Sequence, residues 1–177
     1  EARLELTVDR FAECAAEPRP DPEFGCFSYE PPDANGAVRI HFHNRDSADG
    51  TGPLTQAKAP ARMAELQAMF AHVETVHPQA RAVRGGSWLY NLEAYRRLFP
   101  PAYGASRRAP ERVSLSGTSS WGQLLDHTEA VKPAVRDAFL ARLPELDPAA
   151  PWRVFPLPAL RTQAPLALFG PFYARAF

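Results

Sequence analysis

The chain is short of cysteine and lysine and carries no net charge, and each shortage excludes a class of protein. Cys14 and Cys26 are its only cysteines, too few for a disulfide framework and without the second Cys/His pair that a structural zinc site requires. Both read as free thiols, and a cytoplasmic setting follows. Basic and acidic residues balance at 20 each, and Lys58 and Lys132 are the only lysines. Without excess positive charge the chain lacks the broad field on which non-specific nucleic-acid binding runs, so no nucleic-acid partner is expected. No apolar run approaches the roughly 20 residues needed to cross a bilayer, and no basic start followed by an apolar stretch marks a secretion signal, so no membrane partner is expected. The chain starts at Glu1 rather than Met, which leaves open a removed leader or a longer parent protein.

Proline is abundant instead. There are 19 in 177 residues, roughly twice the ordinary share, and they crowd into residues 18–32, 100–110 and 144–171. Long irregular connections are expected there. The 45% hydrophobic content suffices for one core, and the reading is a single α/β domain over 1–177. It divides into a proline-rich N-terminal segment (1–33), a central core (37–99) and a C-terminal helix with edge strands (111–177).

The core carries the clearest pattern. Ala37-Val-Arg-Ile-His-Phe-His43 alternates strictly, so Val38, Ile40 and Phe42 face one way and Arg39, His41 and His43 the other. Asp33-Ala-Asn-Gly36 is a turn signal just before it, which makes Phe27-Ser-Tyr29 its antiparallel partner. From Pro60 to His77 the residues Met63, Leu66, Phe70, Val73 and His77 recur at helical spacing, and Pro78 ends the run. His72 lies off that stripe and reads as exposed. Residues 81–89 form the next strand. Strand, helix and strand make a βαβ unit and hence a mixed sheet with a parallel pair, whose helix should cover the Val38 face. Ligands of such sheets gather where the strands end, which directs attention to His41, His43, Asp46, Ser87 and Tyr90.

Further along, Asn91 is the expected N-cap of a short helix that stacks Leu92, Tyr95 and Phe99. Leu4–Cys14 reads as a strand entering a helix, Arg112–Ser116 as a strand, and Pro133 as the start of a helix with Val135, Phe139 and Leu143 inward. Trp152–Leu157 and Pro165–Phe172 read as late edge strands.

Three motifs bear on chemistry. His41-x-His43 presents two imidazoles from one strand face, either as metal ligands with Asp46, Asp49 or His127 completing the set, or as ordinary members of a polar face. Gly50-Thr-Gly52 before a helix is either a phosphate cradle or a plain loop. Ser116-Gly-Thr-Ser-Ser-Trp-Gly122 is rich in hydroxyls and glycine but lacks a G-x-S-x-G elbow.

The order of strand, glycine-bearing loop, helix, strand and short helix, with His41-Phe-His43, Gly52-Pro-Leu-Thr55, Ser87-Trp-Leu89 and Asn91-Leu-Glu-Ala-Tyr95, resembles the GCN5-related N-acetyltransferase fold, including some bacterial acyltransferase-like proteins. The likeness covers residues 37–99. It implies an acyl-coenzyme A-dependent N-acyltransferase acting on a small-molecule or peptide amine. Gly50, Thr51 and Gly52 would then hold the pyrophosphate, with Ser87 beside the cofactor, and Tyr95 would protonate the departing thiolate. His41 or His43 would deprotonate the amine. The family's loop signature is not reproduced, since Arg45 precedes Gly50 by five positions instead of three. Tyr95 has a second reading as a core aromatic with its hydroxyl at the rim, and Trp88 likewise as core or as substrate platform. Besides the acyltransferase, a non-catalytic binding module with a degenerate cleft and a metal enzyme using the His-x-His pair stay open.

Overall fold

The computed structural model describes residues 23–113, 115 and 117–175. Chain order among them is β1 (Phe27–Glu30), β2 (Ala37–Phe42), α1 (Ala59–Val76), β3 (Ala82–Ser87), α2 (Glu93–Arg96), α3 (Pro101–Ala105), α4 (Thr118–Trp121), α5 (Pro133–Arg142), β4 (Leu160–Pro165) and α6 (Phe169–Ala174), with short 3-10 turns between. The strands form one mixed sheet in the order β1-β2-β3-β4, in which β2 and β3 are parallel and both outer pairs antiparallel. The strand and helix expected over Leu4–Cys14, and with them Cys14, lie outside the described residues.

The first hairpin forms where the turn chemistry placed it. Asp33 Oδ1 accepts from the backbone N–H groups of Asn35 and Ala37 at 2.9 and 3.0 Å, and Gly36 takes φ +73 to close the turn. β1 and β2 then pair with Phe27 opposite Phe42 and Tyr29 opposite Ile40. Those residues share a face with Val38 and Val83, and all belong to one buried core except Phe42, which is partly buried and packs against it. α1 covers this face. Its buried positions are Ala59, Arg62, Leu66, Met69, Phe70 and Val73, a three-to-four spacing along one stripe, with each buried large apolar side chain contributing about 1.5–3 kcal/mol. Arg62 therefore replaces Met63 on the buried line. His72 is not simply exposed either, since its ring packs 5.3 Å from that of Phe24.

Beyond β3 the chain turns back under the sheet and adds an aromatic layer. Tyr90, Tyr95, Phe99, Tyr103 and Phe169 contact one another with ring centroids 5.1–6.3 Å apart. This layer approaches β3 at Gly85, where an added Cβ would lie 1.8 Å from the Tyr90 hydroxyl and 2.6 Å from that of Tyr103. Only glycine permits that contact.

Five further local expectations fail. Asn91 does not cap a helix but lies in the 3-10 turn Trp88–Asn91, where its Nδ2 donates to the Trp88 and Pro158 carbonyls; Leu92 takes the N-cap position without a side-chain bond. No strand forms at Arg112, Val113 or Leu115. Trp152–Leu157 holds the 3-10 turn Pro151–Val154, and Pro165–Phe172 runs from the end of β4 into a 3-10 turn and α6. Helix α5 starts at Pro133 as expected, yet Leu143 lies beyond its end and is 38% exposed.

The Gly85 contact yields a test. Gly85→Ala is expected to lower stability by about 1–3 kcal/mol through overpacking, read as a lower urea midpoint. In a double-mutant cycle Tyr90→Phe should recover part of the loss; strictly additive effects would contradict the close approach.

Candidate functional site

The parallel ladder between β2 and β3 ends early. Its register runs Ala37–Ala82, Val38–Val83 and Arg39–Arg84 and stops there. Both strands nevertheless continue, β2 to Phe42 against β1 and β3 to Ser87 against β4. They diverge because each keeps its antiparallel partner. Cys26 accepts from the His43 N–H at 2.8 Å, so residues 39, 41 and 43 bond toward β1, and by alternation Phe42 turns its N–H and C=O to the other side. The Leu166 N–H to Arg81 carbonyl bond fixes the same alternation on β3 and turns Gly86 toward β2. The two strand edges thus face each other across a slot. On the core side Tyr95 fills the wedge, its ring 5.6 Å from Phe42 and 5.2 Å from Tyr90.

A cleft of about 710 Å³ occupies this position, lined by residues 40–45, 52–55, 86–90, Leu92 and Tyr95, with a further wall from residues between 118 and 132. That size suits a small ligand, and the strand ends are where parallel sheets receive one. The outer wall is tied on by a relay: Asn44 Nδ2 donates to the His127 carbonyl at 3.0 Å, and His127 Nε2 meets the Gly50 carbonyl at 3.0 Å.

Of the seven site residues expected from the sequence, five line the cleft: His41, His43, Gly52, Ser87 and Tyr95. His41 Nε2 lies 2.9 Å from Glu30 Oε1, which also takes Arg39 Nη1 at 3.4 Å. The carboxylate orients the ring. His43 Nε2 meets the buried Ser28 hydroxyl at 2.8 Å. The two histidines therefore have different partners, and among the described residues no three His, Cys, Asp or Glu side chains are placed to hold a metal ion. The His-x-His pair gains no third ligand from Asp46, Asp49 or His127.

Gly50 and Thr51 lie outside the cleft lining, whereas Gly52 is part of it, and the first two have their N–H groups engaged within the loop. The Gly50 N–H donates to the Ser47 carbonyl at 3.0 Å, and the Thr51 N–H to Asp49 Oδ1 at 3.0 Å. Lys58 Nζ is held by Asp49 Oδ1 at 2.8 Å and the Asp46 carbonyl at 2.6 Å; these bonds keep the Asp49 carboxyl far below its usual range. The Gly50 and Thr51 N–H groups are thus already taken from within the loop. Beneath it, buried Arg62 joins Asp46 Oδ2 at 3.0 Å, Glu65 Oε1 at 2.6 Å and Cys26 Sγ at 2.8 Å.

Ser87 Oγ accepts from the Leu89 N–H at 3.2 Å and starts the turn that carries Trp88 into the cleft. Tyr95 is 2% exposed. Burial, with neighbouring Tyr90 adding to it, pushes its hydroxyl well above the ordinary tyrosine range, so it stays protonated and is a poor proton donor to a thiolate. The core reading of Tyr95 holds, with its edge at the cleft. Sequence reasoning missed Glu30, Ser28 and Lys132; the first two belong to a neighbouring strand, and only the hairpin register brings them to His41 and His43.

No protein-family model, curated protein or solved structure matches the chain. No helix among the described residues is long and apolar enough to cross a membrane.

The buried tyrosines predict alkaline behaviour. Burial raises the hydroxyls of Tyr90, Tyr95, Tyr103 and Tyr173 above the usual value. Above about pH 10 the unfolded chain loses these protons while the folded state retains them. Stability is then complete below pH 10 and falls as pH rises, by about 1.4 kcal/mol per unit for each such tyrosine. Absorbance at 295 nm should therefore show these tyrosines ionising together with unfolding; gradual titration near pH 10 in folded protein would contradict their burial.

Proposed function

We propose that the cleft binds an extended acyl thioester of the coenzyme A type and that the chain is an N-acyltransferase-like protein of N-acetyltransferase-like topology acting on a small-molecule or peptide amine. The observation that carries this reading is the slot: β2 and β3 part after Arg39 and Arg84 while both continue. An amide-bearing arm such as pantetheine is the kind of ligand that can bond to two parted strand edges. Phe42 and Gly86 supply those edges.

The fit is partial along the ligand. The slot suits the pantetheine arm, whereas the Gly50 and Thr51 N–H groups are spent inside their own loop and do not suit a pyrophosphate. No phosphate is assigned to them. The thioester supplies the activated acyl group; the chain supplies position and proton transfer. His41 stands at the cleft with Glu30 behind it, the arrangement of a base whose ring is held in place to take a proton from the amine. His43, bonded to Ser28, and Tyr95, buried and protonated, shape the site. The occupied loop donors also favour a second reading, a binding module that keeps the slot without the chemistry.

The experiment separates the two. Acetyl-coenzyme A at a hundredfold over its dissociation constant should stabilise the fold by about 2.7 kcal/mol, a shift of about 5–10 °C in melting midpoint for a chain of this size. Gly86→Val places its side chain in open space and should remove the shift while leaving the unliganded midpoint within about 1 kcal/mol of wild type. His41→Asn should retain the shift and lose about 10²–10⁴-fold in amine acetylation. A shift without turnover in wild type supports the binding module; no shift with acetyl- or longer acyl-coenzyme A contradicts both thioester readings.

A further inference from the structure

Lys132 has no task in acyl transfer, yet it stands in the cleft. It belongs to the outer wall immediately before α5, and its ammonium lies 5.1 Å from the centroid of the Trp88 ring. The other cationic or potentially cationic side chains of the cleft have polar partners: Arg45 has Glu23, His41 has Glu30, His43 has Ser28 and His127 has the Gly50 carbonyl. Lys132 forms no ion pair among the described residues. Asp126, on the same wall, forms no ion pair with it; its Oδ1 accepts from the Thr128 N–H and hydroxyl and from the Ala130 N–H. Burial lowers the Lys132 pKa, and the Asp126 charge opposes that only in part. The Trp88 face offsets part of the burial cost.

We propose that Lys132, set against Trp88, anchors a carboxylate of the cleft's ligand. A monoanion fits better than a phosphate. One ammonium is a single point charge without the paired donors of an arginine, the Gly50 and Thr51 N–H groups are taken, and Asp126 and Glu129 on the same wall repel a multiply charged group. The inference rests on reading this cleft as a small-molecule site, but not on which group is transferred there. Within the acyl-transfer reading it makes the acceptor an amine that also bears a carboxylate.

The test compares an anion with its neutral isostere. The full chain is titrated with benzoate and with benzamide while the Trp88 indole N–H is followed by NMR, its resonance assigned through Trp88→Phe. Benzoate should move that resonance and bind about tenfold or more tightly than benzamide. Lys132→Met should erase the preference and Lys132→Arg keep it, with Lys132→Gln as the second neutral variant should the methionine fail to fold. Equal affinity for the two probes, no response to either, or an unchanged preference in a folded neutral variant overturns the anchor. A benzoate preference that survives alongside a failed acetyl-coenzyme A shift would remove acyl transfer and leave Lys132 in place; the reverse pattern removes the anchor alone.

Discussion

The site depends on a competition for hydrogen-bond partners at the middle of the sheet. Up to Arg39 and Arg84 the two parallel strands bond to each other; past that point each follows its antiparallel neighbour instead. Backbone groups in a closed sheet are satisfied by their neighbours, so a sheet that parts leaves an edge on each side. Here the aromatic layer holds the parting open. Tyr95 bridges Phe42 at the end of β2 and Tyr90 beyond β3, and Gly85 lets Tyr90 and Tyr103 come directly beneath β3, where their hydroxyls bond at 2.8 Å. The same residues that complete the core set the width of the cleft.

A second constraint fixes the loop that borders it. Arg62 is 3% exposed on the otherwise apolar stripe of α1, where a guanidinium needs partners to offset its desolvation. Asp46, Glu65 and Cys26 take its two terminal nitrogens from three parts of the chain, while Nε stays without a partner among the described residues, and Lys58 closes the loop through Asp46 and Asp49. Loop 43–52 is thereby built around its own ion pairs. Its glycines serve the turn, and their company of carboxylates does not favour a ligand anion. The cleft's uncompensated positive charge lies on the other wall, at Lys132.

Much of the core was legible because its signals are local. Period-two alternation in 37–43, the Asp33–Gly36 turn and the helical stripe bounded by Pro60 and Pro78 each act within a few residues, and the hairpin, α1 and the parallel pair followed. The C-terminal third was misread where prolines and aromatics imitate edge strands. Residues 160–165 do form β4, but the strand assigned to 165–172 is a turn and helix whose Phe169 and Tyr173 fill the core. Asn91 carries an N-cap's chemistry, yet two carbonyls, one of them 67 positions away, compete for its side chain. The alternation placed His41 and His43 on one face. Their separate partners, Glu30 and Ser28, depend on strand register, which spacing within one strand does not encode. Nor does the pair Gly50-Thr51 reveal that Ser47 and Asp49 occupy its N–H groups. Arg62 is the sharpest case, because a charged residue at a stripe position breaks the apolar pattern and only long-range partners explain it.

The open slot is the claim on which the functional reading stands, and amide hydrogen exchange in the unliganded protein tests it residue by residue. Phe42 and Gly86 should exchange orders of magnitude faster than Val38 and Arg84, which lie lower on the same two strands and within the paired part of the ladder. Protection at Phe42 and Gly86 equal to that of their paired neighbours would mean a ladder closed to its end, with no edge for a ligand to take.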